Sequence, residues 1–103
     1  MLNKVNEKTF ASMSRSGLLV VDFMAEWCGP CKFIGPRLEA ASKKLPATVK
    51  FVKVDIDECK TLVKSMGLRK VPTVVLLKSG VEVARREGVM SEADILTMVQ
   101  DHL

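Results

Sequence analysis

One stretch limits the folds open to this chain more than any other. Leu18-Leu19-Val20-Val21-Asp22-Phe23 is apolar throughout except for a single carboxylate, and Cys28-Gly29-Pro30-Cys31 follows it closely. A strand that does not alternate is expected where a sheet is covered on both faces by helices. The residues after Pro30 supply such a helix. Ile34, Leu38, Ala41 and Leu45 step by four, three and four, which places them on one helical face. Pro36 falls inside that helix and is expected to kink it, because its ring removes an N–H and crowds the preceding turn.

The alternation continues to the C-terminus. Val49 to Ile56 reads as a second strand, and Cys59, Leu62, Val63 and Met66 keep helical spacing up to a stop at Gly67. Thr73–Leu77 and Val81–Arg86 flank Lys78-Ser79-Gly80, a hairpin connection with a glycine available for positive φ. Ser91 is an N-cap candidate with Glu92 and Asp94 in the first turn, and Ile95, Val99 and Leu103 are expected to face the core. Phe10 and Met13 suggest a helix after Asn6, with a weak edge strand over Leu2–Val5. The pattern predicts an α/β fold: a mixed sheet of four to five strands flanked by about four helices.

With 103 residues, a single domain over 1–103 is expected. No apolar run approaches the ~20 residues of a membrane span, and Met1–Lys8 is polar with no signal-like stretch after it. An intracellular, cytoplasmic protein without a membrane partner is therefore the expectation. The net charge of +4 raises nucleic acid as a partner. However, the densest basic stretches are only the pairs Lys43-Lys44, Arg69-Lys70 and Arg85-Arg86, and nothing interleaves them with aromatic residues. A solvated basic surface is the simpler reading, with no nucleic acid bound.

The chain has three cysteines, an odd number that does not suit a disulfide framework of the secreted kind. Two of them lie where a strand gives way to a helix. As half of a zinc site, the pair would need two further ligands; only Cys59 and the near-terminal His102 remain, and no metal is expected. As a redox pair it needs nothing more. Cys28 sits at the N-terminal end of the helix, where unpaired N–H groups and the macrodipole favour a thiolate. Pro30 suits the first turn, where a missing N–H matters little. Cys31, three residues on, can reach back to Cys28 while the turn screens it from solvent. Cys28 is thus the expected nucleophile and Cys31 the resolving thiol.

Val21-Asp22-Phe23 through Trp27-Cys28-Gly29-Pro30-Cys31-Lys32 resembles the signature of the thioredoxin family, and Val71-Pro72-Thr73 resembles that family's cis-proline loop. Gly80 and Gly88 fall where the family has glycines, and the likeness runs the length of the chain. It implies the thioredoxin fold and protein-disulfide reductase activity, with no bound cofactor. The chain would act as a redox carrier, monomeric, donating electrons to disulfide-containing target proteins. A reductase would recycle it, in the family a flavoprotein drawing on NADPH. Asp22 resembles the family's buried aspartate, the proton acceptor for Cys31; the alternative is a carboxylate ending the strand in solvent. Lys53 matches the lysine thought to neighbour that aspartate, or is simply a polar position on a half-exposed strand. The resemblance also makes Trp27, Gly29, Pro30, Val71, Pro72 and Gly88 a substrate platform, with the Val71 backbone pairing an extended target segment. A purely structural Trp27 is the alternative.

Three positions depart from the family pattern. Met24 stands where many members carry a second tryptophan, so softer packing is expected there. Lys70, with Arg69 and Lys32, makes the loop basic, which would favour the Cys28 thiolate and acidic partners. Cys59 reads either as a small buried hydrophobe or as a regulatory thiol. Two other classes stay open: a redox-inactive binding module on the same fold, and a zinc-stabilised structural module.

Overall fold

The covered strand expected at Leu18 becomes the centre of a five-stranded sheet. The computed structural model describes residues 2–103. Its elements are β1 (Asn3–Lys4), α1 (Glu7–Met13), β2 (Leu18–Met24), α2 (Cys31–Ser42), β3 (Lys50–Asp55), α3 (Lys60–Met66), β4 (Thr73–Lys78), β5 (Val81–Glu87) and α4 (Glu92–Gln100). The strand order is β1-β3-β2-β4-β5. β3 runs parallel to both β1 and β2, while β4 is antiparallel to β2 and β5 antiparallel to β4. This is the mixed sheet with four helices that the sequence pattern predicts.

Because side chains alternate across a strand, β2 feeds two cores. Leu19, Val21 and Phe23 pack with Val52, Val54, Val75 and Leu77 against Phe10 of α1, Cys59, and Leu62 and Met66 of α3. Val20 joins Val74 and Leu76 on the opposite face, under Ile34, Leu38 and Ala41 of α2 and Ile95, Met98 and Val99 of α4. Asp22 belongs to this second row and stands on the α2 face.

Local signals account for the boundaries. Ser91 Oγ accepts from Asp94 N at 3.0 Å, so the expected N-cap of α4 forms, and Asn6 Oδ1 accepts from Thr9 N at 2.8 Å, capping α1 in the same way. Gly67 ends α3 in the left-handed conformation at φ 63°. Three details differ from the sequence reading. Lys78 pairs with Val81, so the hairpin loop is only Ser79-Gly80, and Ser79 (φ 48°) turns left-handed together with Gly80 (φ 83°). Positive φ at both central positions is the type I′ form of the two-residue hairpin, whose twist matches that of the flanking strands. Leu103 is exposed, because α4 ends at Gln100; Met98 takes the core position instead. Cys59 precedes α3 as its N-cap rather than riding on it, yet is buried.

The sheet's two edges are unlike each other. β1 contributes only Asn3 and Lys4. β5 is longer, but its register slips opposite Leu76/Leu77, leaving Val83 as an extra residue, and it carries Glu82, Arg85, Arg86 and Glu87.

Candidate functional site

β2 ends at Met24, and the chain needs only a short loop to enter α2. Cys28 N donates to Ala25 O at 3.1 Å, which turns the loop back over the strand end. Pro30 is the N-cap of α2 and has no side chain able to satisfy the helix's first donors. The sulfur of Cys28 does so instead: Cys31 N donates to Cys28 Sγ at 3.2 Å. Cys28 and Cys31 are joined as a disulfide with Cα atoms 5.4 Å apart. The sequence reading makes Cys31 the screened partner, but the two residues are buried alike, at 4% and 7% exposure. Met24 and Ala25 pack against the pair, with Ile56 and Val71 at the margin.

Three segments close around the disulfide. The Val71–Pro72 peptide bond is cis. Thr73 Oγ1 donates to Lys70 O at 2.7 Å, and Gly88 N donates to Pro72 O at 2.8 Å. Gly88 turns left-handed there, at φ 92°, which explains why a glycine sits at this contact. Arg37 Nη1 donates to Met90 O at 3.1 Å, tying the far end of the same loop to α2. Pro30 is exposed, and the position of a Cβ on Gly29 meets open space, so the crest of the loop is bare.

Trp27 is 69% exposed, and its Nε1–H donates to Asp57 Oδ2 at 2.8 Å. Asp57 is itself fixed, its N–H donating to Asp55 Oδ1 at 2.9 Å. Nothing in the sequence marks either aspartate, and thirty residues separate Asp57 from the tryptophan.

Beneath the cysteines lies a cavity of about 310 Å³ lined by Asp22, Met24, Cys28, Cys31, Lys32 and Lys53, among others. Asp22 is 3% exposed and its Oδ1 has no hydrogen-bond partner. Burial pushes its carboxyl up from the ordinary 3.8 to about 7, while the Lys53 ammonium pulls the other way. The two are register partners on adjacent strands, so Lys53, half-buried, is a charged neighbour of the aspartate. The reading of Asp22 as a solvated strand end is therefore overturned.

Lys70 and Lys32 are exposed, but Arg69 is engaged by Glu87, with Nη2 3.0 Å from Oε1. The free positive charge expected of this loop thus falls to the two lysines. Cys59 is buried, and burial followed by the nearby Glu7, Glu58 and Asp55 carboxylates pushes its thiol up, which disfavours the thiolate a regulatory cysteine needs. Among the described residues no three His, Cys, Asp or Glu side chains gather to hold a metal ion, and no helix is long and apolar enough to cross a membrane.

Comparison with known proteins extends the pattern to the whole chain. The family profile described as Thioredoxin matches residues 1–101. A thioredoxin of Chlamydia trachomatis is 38% identical over 102 residues, covering 99% of each chain. One from Bacillus subtilis is 33% identical over 100 residues, covering 97% of this chain and 96% of its own. A thioredoxin H-type 1 of Nicotiana tabacum is 42% identical over 95 residues, or 92% of this chain and 75% of its own. Similarity of that extent, in a chain that closes its cysteine pair at the head of α2, leaves one assignment: the chain belongs to the thioredoxin family of dithiol–disulfide reductases.

Proposed function

We propose that the chain works as a general reductant of protein disulfides, with Cys28 attacking and Cys31 resolving. The observation that carries this reading is the donation of the first α2 N–H to Cys28 Sγ. A sulfur at a helix N-terminus is favoured as an anion, and only the thiolate attacks a disulfide.

The cycle starts from the dithiol. Cys28 thiolate attacks one sulfur of the target; the target's S–S bond breaks, and a mixed disulfide forms as the other target sulfur leaves as thiolate. Asp22 takes the proton of Cys31 across the cavity they share. Cys31 then attacks the Cys28 sulfur, closing the Cys28–Cys31 bond and releasing the second target thiolate. Two electrons have passed to the target. A carboxylate that titrates at about 7 is matched to accepting a proton near neutrality, and Lys53 opposite it keeps its anionic form accessible.

Docking uses the rim. An extended target segment pairs with the Val71 backbone beside Pro72, crosses Gly29 and Pro30, and lies against Trp27 and Gly88, with Lys70 drawing acidic segments. The partners are disulfide-containing proteins and a reductase system that restores the dithiol, and the protein acts as a cytoplasmic monomer. Insulin reduction driven by dithiothreitol tests the reading. Turnover should be abolished in Cys28→Ser, while Cys31→Ser should accumulate mixed disulfides; a rate no higher than the dithiothreitol background would overturn it.

A further inference from the structure

Five large apolar residues stand exposed among the described residues: Trp27, Phe33, Val81, Val89 and Leu103. Val81 and Leu103 lie at the β4–β5 turn and the C-terminus. The other three lie on the active-site loop, the first turn of α2 and the loop after β5, and only Trp27 has a role so far. Phe33, 62% exposed, is in the first turn of α2, its N–H donating to Pro30 O at 3.1 Å. It does not enter the core, which takes Ile34 and Leu38, nor the cavity, which takes Lys32, Gly35 and Pro36.

Its direction follows from the helix. Residues four apart share a face, and Arg37, four after Phe33, reaches Met90 O. That face of α2 therefore looks toward the Gly88–Met90 loop. The loop is held at both ends, by Pro72 O at Gly88 and by Arg37 at Met90, so Val89 between them is presented outward at 45% exposure. Val89 and Phe33 thus stand exposed on two segments that the Arg37–Met90 hydrogen bond ties together, and the Gly88–Pro72 hydrogen bond joins the first of these to the cis-proline loop.

We infer that Phe33 is a specificity-determining residue. With Val89 it receives a bulky apolar side chain carried by the target near its reacting cysteine, on the side of the target strand that passes over α2. The inference rests on the disulfide-exchange reading above and deepens it. An exposed phenyl ring next to the docking line gains contact only when the target covers it, so its effect appears as discrimination between targets.

Two pairs of cystine peptides make the test. One pair carries Leu or Gln on the N-terminal side of the attacked cysteine, the other pair on the C-terminal side. The wild type should prefer Leu over Gln in one pair by roughly five- to tenfold in kcat/KM, the scale of an apolar side-chain contact. Phe33→Gln should bring that ratio near unity, and Phe33→Leu should restore most of it. A wild type without preference, or a ratio unchanged in Phe33→Gln, overturns the role of Phe33. A wild type that reduces neither the peptides nor hydroxyethyl disulfide overturns the exchange reading itself, and this inference with it.

Discussion

Asp22 on β2 and Lys53 on β3 stand opposite one another in parallel register, a carboxyl with an orphaned oxygen facing a half-buried ammonium. Burial outweighs the ammonium, so the carboxyl titrates at about 7. Removing the cation in Lys53→Met should raise it further. Carboxyl-carbon NMR of the two proteins reads this directly, and an unmoved or lowered Asp22 titration in the variant would contradict the pairing.

The same carboxyl makes stability fall with rising pH. The unfolded chain releases this proton around 3.8, whereas the native state keeps it to about 7. Between these values the native state binds more protons, so ionisation works against folding and the loss is complete above 7. Asp22→Asn should accordingly be more stable than the parent at pH 8 by a few kcal/mol, because a tenfold difference in proton affinity between the two states corresponds to ~1.4 kcal/mol. The advantage should vanish below about pH 4. Urea unfolding at the two pH values, with the disulfide intact, decides it.

Trp27 is the one tryptophan of the chain, and its indole is held by Asp57. Asp57→Ala should free the ring, seen as a faster decay of tryptophan fluorescence anisotropy at nearly unchanged stability, since an exposed hydrogen bond contributes only about 1 kcal/mol. Reduction of protein disulfides should slow as the docking rim loosens. Identical anisotropy decay in the two proteins would mean the indole is fixed by something else.

With Arg69 engaged by Glu87, Lys70 is the exposed lysine that the loop itself contributes. Lys70→Glu should slow reduction of an acidic peptide disulfide at low salt. The difference should shrink at about 1 M salt, where screening reaches ~3 Å. A deficit that is the same at both ionic strengths would remove charge as its cause.

Cys59 should behave as an inert core thiol. After reduction, iodoacetamide should label it only once denaturant is added, as counted by mass spectrometry. Rapid labelling in the native protein would reopen its case as a regulatory site.

Much of this is legible in the sequence because it is local. The covered strand, the helix face from Ile34, the cap at Ser91 and the cysteine pair between strand and helix each announce themselves within a few residues. Asp22 is legible for a related reason, since a carboxylate inside an apolar run must be buried or end the strand. Contacts that depend on how distant segments meet are not legible. Nothing near Trp27 marks Asp57, and nothing near Arg37 marks Met90; those pairs exist because a loop after β3 and a loop after β5 arrive at the same end of the sheet. Leu103 keeps the right spacing, but spacing does not say where α4 stops.

The sheet's edges bear on what the protein can do in company. A free row of backbone at a sheet edge invites pairing by another chain. Here one margin is two residues long, and the other is bent at Val83 and guarded by ion pairs between Glu82 and Arg85 and between Glu87 and Arg69. Neither margin therefore offers a long, flat row of unpaired backbone to which a strand of another chain could add.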